Sequence, residues 1–105
     1  GMATSGTAGY FGGGNVAASQ VDTVDKFAFS DDSRTTLGTG LSAATQMLGA
    51  MANSGTAGYF GGGTTGSAVD TVDKFAFSDD GRTTLGTGLS VAREFLAGMA
   101  NSGSL

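Results

Sequence analysis

The chain repeats itself. GTAGYFGGG at residues 6–14 returns at 55–63, an offset of 49. VDTVDKFAFSDD at 21–32 returns at 69–80, and RTTLGTGLS at 34–42 returns at 82–90, both offset by 48. MANSG at 51–55 returns at 99–103. Repeats of roughly 20–50 residues are supersecondary units that bury their apolar faces against one another, because each is too small to do so alone. One residue is lost between NVAASQ at 15–20 and TTGSA at 64–68. That places the difference in a loop, since an indel inside a strand would turn every later side chain to the wrong face. The 105 residues therefore divide into a first repeat at 2–54 and a second at 55–105.

Within a unit the pattern is that of short strands. From Asp25 to Ser30 the residues alternate, with Phe27 and Phe29 on one face and Lys26 and Ala28 on the other. From Thr36 to Leu41 they alternate again, setting Leu37, Thr39 and Leu41 opposite Gly38 and Gly40. Between them Asp31-Asp32, and Asp79-Asp80-Gly81 in the copy, predict a hairpin turn. Tyr10-Phe11 and Tyr59-Phe60 lead into glycines, and residues 47–52 and 95–100 supply a fourth strand. The expectation is all-β, one four-stranded antiparallel meander per unit. A competing reading makes residues 42–51 and 90–99 a helix behind a Ser cap, although Gly49 and Gly98 interrupt it.

Composition removes several functions. Twenty of the residues are Gly, and Leu, Val and Phe number only 7, 6 and 7, so a self-sufficient core is hard to build. Association with further copies would complete it. The chain has no Cys and no His, which removes thiolate chemistry and the commonest general base and metal ligand. The net charge of −4, with five scattered basic residues, gives no footprint for nucleic acid. No run approaches the ~18 consecutive apolar residues of a helical membrane span. Gly1 ahead of Met2 reads as a remnant of tag cleavage on a native start, with no signal peptide visible.

The unit resembles a kelch-type β-propeller blade, whose repeat is about 50 residues. An aromatic precedes a glycine doublet at Tyr10-Phe11-Gly12-Gly13 and at Tyr59-Phe60-Gly61-Gly62. The basic residue that opens the kelch loop falls at Arg93 in one unit and is Thr45 in the other. Thr45 lies 16 residues before Gly61, the separation seen in kelch-like blades. The aromatic usual at the fourth strand is Thr36-Leu37 here, so the unit is kelch-like rather than kelch proper. FAFSDDGRTTLGTG at 75–88 is also similar to a WD40 hairpin. The glycine-aromatic repeats further resemble those of repetitive phage and marine microbial proteins, which implies a virion-associated or extracellular setting.

A propeller closes with roughly four to eight blades, and two are encoded here. The resemblance thus implies a ring closed by homo-oligomerisation through head-to-tail contacts. Three chains give six blades and are the first expectation; four chains give eight. The C-terminal strand at about 95–101 is expected to complete a neighbouring chain's N-terminal blade.

For ligands, the variable loops carry the candidates: Asn15, Gln20, Gln46, Thr64, Thr65, Arg93 and Glu94. The paired aspartates read as solvated turn formers, the triple glycines as strand-end packing, and Tyr10 and Tyr59 as blade-interface core. Neither a metal, a cofactor nor a catalytic set is called for. The function expected is a non-enzymatic structural or binding protein offering repeated loops to a glycan or protein. Two alternatives stand beside it. One is a glycosidase-like hydrolase using carboxylates, for which Glu94 has no evident partner. The other is a fragment of a longer propeller array with no ligand of its own.

Overall fold

A computed structural model of the chain describes residues 2–4, 7–53 and 55–96. It is all-β: among these residues there is no helix. The strands in chain order are β1 (Met2–Thr4), β2 (Ala8–Gly12), β3 (Asn15–Val16), β4 (Ser19–Gln20), β5 (Val24–Ala28) and β6 (Arg34–Thr36). They are followed by β7 (Gly49–Asn53), β8 (Ala57–Gly61), β9 (Val72–Ala76) and β10 (Arg82–Thr84). Two four-stranded antiparallel sheets result, β1-β2-β5-β6 and β7-β8-β9-β10, with β3-β4 a separate hairpin.

The sheets keep one register. Tyr10 stands opposite Lys26 in the first, and Tyr59 opposite Lys74 in the second. The lost residue falls where a loop was expected. The first unit has the β3-β4 hairpin there, and the second has a tighter turn closed by a Thr64–Ala68 bridge. The aspartate turns also form as expected. Asp32 and Asp80 adopt the same left-handed backbone, at φ 60° and 57°, and each donates its N–H to the carbonyl of Ala28 or Ala76. Asn and Asp enter this region at the least cost of any residue bearing a Cβ.

Several expectations change. The strand read over residues 36–41 stops at Thr36. Beyond it Leu37 still donates to Val24 O, but the chain then bows and re-enters only where Leu41 donates to Asp22 O. Gly40 permits this, since a Cβ there would collide with the Asp22 carbonyl. The alternating Leu and Thr therefore mark a loop, not a strand. The helix at 42–51 is absent: residues 42–48 are irregular and β7 follows. At 90–96 the backbone is also irregular. Of the C-terminal strand expected at about 95–101, Phe95 and Leu96 are not in a strand, and residues 97–101 lie outside the described residues. The edge of β2 meant for that strand is taken, over Ala8 to Tyr10, by the chain's own β1.

The core sits between the two sheets. From the first unit Ala8, Tyr10, Val24 and Leu41 are buried, and from the second Phe60 and Phe75. Each buried Phe contributes about 2–3 kcal/mol by leaving water. The contact is head to tail, one unit's Tyr-bearing face receiving the next unit's Phe-bearing face.

Candidate functional site

Side-chain hydrogen bonds from Tyr10, Lys26, Ser42 and Arg82 cross this seam. A Cβ on Gly12 would come within 2.7 Å of the Phe60 ring, so the glycine makes room for the aromatic. Phe60 meets Phe75 edge to face at 5.9 Å, and Tyr10 stacks on Phe77 at 5.5 Å. The Tyr10 hydroxyl donates to Asp80 Oδ1 at 2.8 Å, and Lys26 Nζ lies 3.1 Å from Asp80 Oδ2. Burial, followed by the bond to Asp80 and its charge, pushes the Tyr10 phenol above its usual range.

A second anchor is Asp73, 4% exposed. Its Oδ2 accepts from the backbone N–H of Ser42 at 2.8 Å and from the Ser42 hydroxyl at 3.0 Å. Its Oδ1 accepts from the Thr84 hydroxyl at 2.7 Å. Arg82 Nη1 donates to Gly40 O at 3.0 Å. A buried carboxylate with three donors is well satisfied, which is the condition for burying it at all.

The loop residues proposed from the sequence separate into two groups. Gln46 and Thr64 are brought together by two backbone bonds, each donating to the other's carbonyl. They form a strut across the seam, and Thr64 is only 7% exposed. Asn15 and Gln20 pair in the β3-β4 hairpin, whose tip, Ala17-Ala18, has φ of 50° and 71°. Asn15 is exposed and Gln20 half-buried. Thr65 and Arg93 are also exposed, and Glu94 is half-buried. Arg93 O accepts from Gly63 N–H, so the backbone at this position closes the second unit.

Sequence reasoning missed the polar part of the seam. Asp80 was expected to be solvated; it instead bridges the units, holding Tyr10 and Lys26 of the first. The exact recurrence of Asp80 and Lys26, as Asp32 and Lys74, was the available signal. Tyr10 is buried as expected, at 1% exposure, whereas its copy Tyr59 is only half-buried. Asp31 is fully exposed, and Ser33, first through its hydroxyl and then through its N–H, holds the Asp31 carboxyl below the usual range. Among the described residues, no three acidic side chains gather into a metal site.

No protein-family model matches the chain, and no curated protein matches it.

Proposed function

We propose that the chain is a non-enzymatic structural and binding module, a pair of kelch-like propeller blades that assembles with its own copies and offers its hairpins to a glycan or protein. Three chains give six blades, with four chains as the second arrangement. The observation that carries this reading is the head-to-tail stacking of two sheets identical in strand order and register. Contacts of that kind extend to further units rather than ending in a pair. The engaged aspartates lend support: Asp25, Asp73, Asp79 and Asp80 all accept fold-building hydrogen bonds. Gln46 and Thr64 are used in the strut, so the ligand surface contracts to the β3-β4 hairpin, Thr65 and Arg93.

Glycan-array binding of the labelled protein tests the ligand. Binding lost on truncating the β3-β4 hairpin supports the proposal, and binding indifferent to that change argues against it. Turnover of any member of a panel of aryl glycosides would replace it with the hydrolase reading.

A further inference from the structure

Identical motifs meet opposite fates in this chain. Phe60 is 3% exposed in the seam, and its repeat equivalent Phe11 is 66% exposed. Phe77 stacks on Tyr10 and is half-buried, while its equivalent Phe29 is 50% exposed. On the opposite side of the molecule, Tyr59 repeats the buried Tyr10 but has no Phe stacked on it among the described residues. In front of Tyr59 lies a mostly apolar pocket of about 170 Å³, whose lining includes Gly61, Val72, Leu89 and Leu96, with Arg93 its one charged residue. Of the corresponding residues of the first unit, Gly12 lies against the Phe60 ring, Val24 and Leu41 share its core cluster, and Leu48 packs against that cluster. The same socket is thus filled in one copy and open in the other.

We propose that the two outer faces are the separated halves of a second seam, so that the Tyr59 face of one chain receives the Phe11 face of another copy of the same chain. The inference rests on the oligomeric part of the reading above and needs neither a glycan ligand nor a closed ring.

Every polar contact of the internal seam has its counterpart waiting on these faces. Tyr10 and Lys26 meet Asp80; Tyr59 and Lys74 are their copies, and Asp32 copies Asp80 in the same left-handed turn. Lys74 Nζ already sits 5.9 Å from the centre of the Tyr59 ring, as Lys26 sits 5.6 Å from that of Tyr10. Ser42 donates to Asp73; the copies are Ser90 on one face and Asp25 on the other, Asp25 already holding Thr36 as Asp73 holds Thr84. Arg82 reaches Gly40 O, and Arg34 and Gly88 repeat that pair. The Gln46–Thr64 strut is made by backbone and maps onto Glu94 and Asn15, which assigns the main chain of those two residues to docking and leaves the Asn15 side chain to the hairpin surface. An exposed aromatic row on one side and an apolar pocket on the other are the surfaces that soluble chains cover by association.

Light scattering over a range of concentrations reads the outcome, with Phe11→Asp and Gly61→Leu as the variants. Phe11 is exposed, and a Cβ on Gly61 meets only ordinary contacts, so both changes are compatible with the single-chain fold. Circular dichroism checks that fold. The wild type is expected to exceed one chain in mass and each variant to remain single. Mixing the variants should give two chains and no more, because each retains one working face. If the wild type assembles and the variants assemble equally, this seam is overturned while the oligomeric reading stands. A single-chain wild type at every concentration overturns both. Carbodiimide cross-linking of mixed isotope-labelled and unlabelled wild type is a second test free of substitutions. A Lys74–Asp32 link joining two chains is expected, and the internal Lys26–Asp80 link without it overturns the docking.

Discussion

The Tyr10 hydroxyl donates to Asp80 Oδ1 at 2.8 Å across the seam, although the residues are 70 positions apart in the chain. The bond joins a buried phenol to a carboxylate that also holds Lys26, so one aspartate ties two strands of the first unit to the turn of the second. Tyr10→Phe keeps the ring and its stacking on Phe77 and removes only this bond. A loss of about 1 kcal/mol is expected, and thermal melting should register it as a drop of roughly 4–8 °C.

The same phenol gives the protein an alkaline limit. Its folded pKa is raised, so the native state holds a proton that the unfolded chain releases from about pH 10 upward. Its stabilising contribution is complete below that pH and declines as pH climbs toward the raised folded value. Unfolding followed by circular dichroism between pH 9 and about 12 should therefore show falling stability. The decline should be shallower in Tyr10→Phe. An equal decline in both proteins would remove Tyr10 as the cause.

Phe60 and Phe11 form a matched pair of opposite burial. In urea, at concentrations where the chain is single, Phe60→Ala is expected to cost about 3–5 kcal/mol. Phe11→Ala should change stability by no more than about 0.5 kcal/mol under the same conditions. Equal losses at the two positions would contradict the head-to-tail seam.

Asp73 and Asp25 make a similar contrast in the polar contacts. Asp73→Ala removes three hydrogen bonds at once from a buried carboxylate, those of the Ser42 N–H, the Ser42 hydroxyl and the Thr84 hydroxyl, a loss of about 2–3 kcal/mol. Asp25→Ala removes a single exposed bond from Thr36 and should cost less than about 1 kcal/mol. Chemical denaturation of the two variants side by side measures the difference.

The β3-β4 hairpin turns through Ala17 and Ala18, both at positive φ, where a Cβ is unfavourable. Two-residue hairpins of this kind prefer Asn-Gly. Ala17→Asn combined with Ala18→Gly should raise stability by about 0.5–1 kcal/mol, seen as a higher melting temperature. A lower melting temperature would mean that the methyl groups serve a contact of their own.

Much of the fold was legible because it is local. The strand around Phe27, the aspartate turns and the loop position of the lost residue all follow from short-range rules, and each is repeated. The strand read over residues 25–30 nevertheless runs from Val24 to Ala28 and leaves Phe29 in the turn. The alternation of Leu37, Thr39 and Leu41 misled because Gly38 and Gly40 read as small strand residues. Gly40 is small for another reason, the closeness of the Asp22 carbonyl, and that depends on a segment 18 positions away. The seam was half legible. Tyr10 could be assigned to an interface, but identical sequences cannot say which copy of a face is inside. That choice is made by chain connectivity, which leaves Phe60 covered and Phe11 bare. The strut through Gln46 and Thr64 was hidden because its bonds are made by backbone and have no side-chain signature.

The two hairpins after the glycine doublets have consequences of another kind. They differ in length and in residues, yet they sit on sheets whose strand order and register match. Selection acting on one tip is thereby uncoupled from selection on the joint, and from selection on the other tip. In any assembly of copies the two tips would alternate like the colours of a two-coloured necklace. A ligand touching neighbouring tips would meet two unlike chemistries, and sliding it one unit along would not restore the same fit.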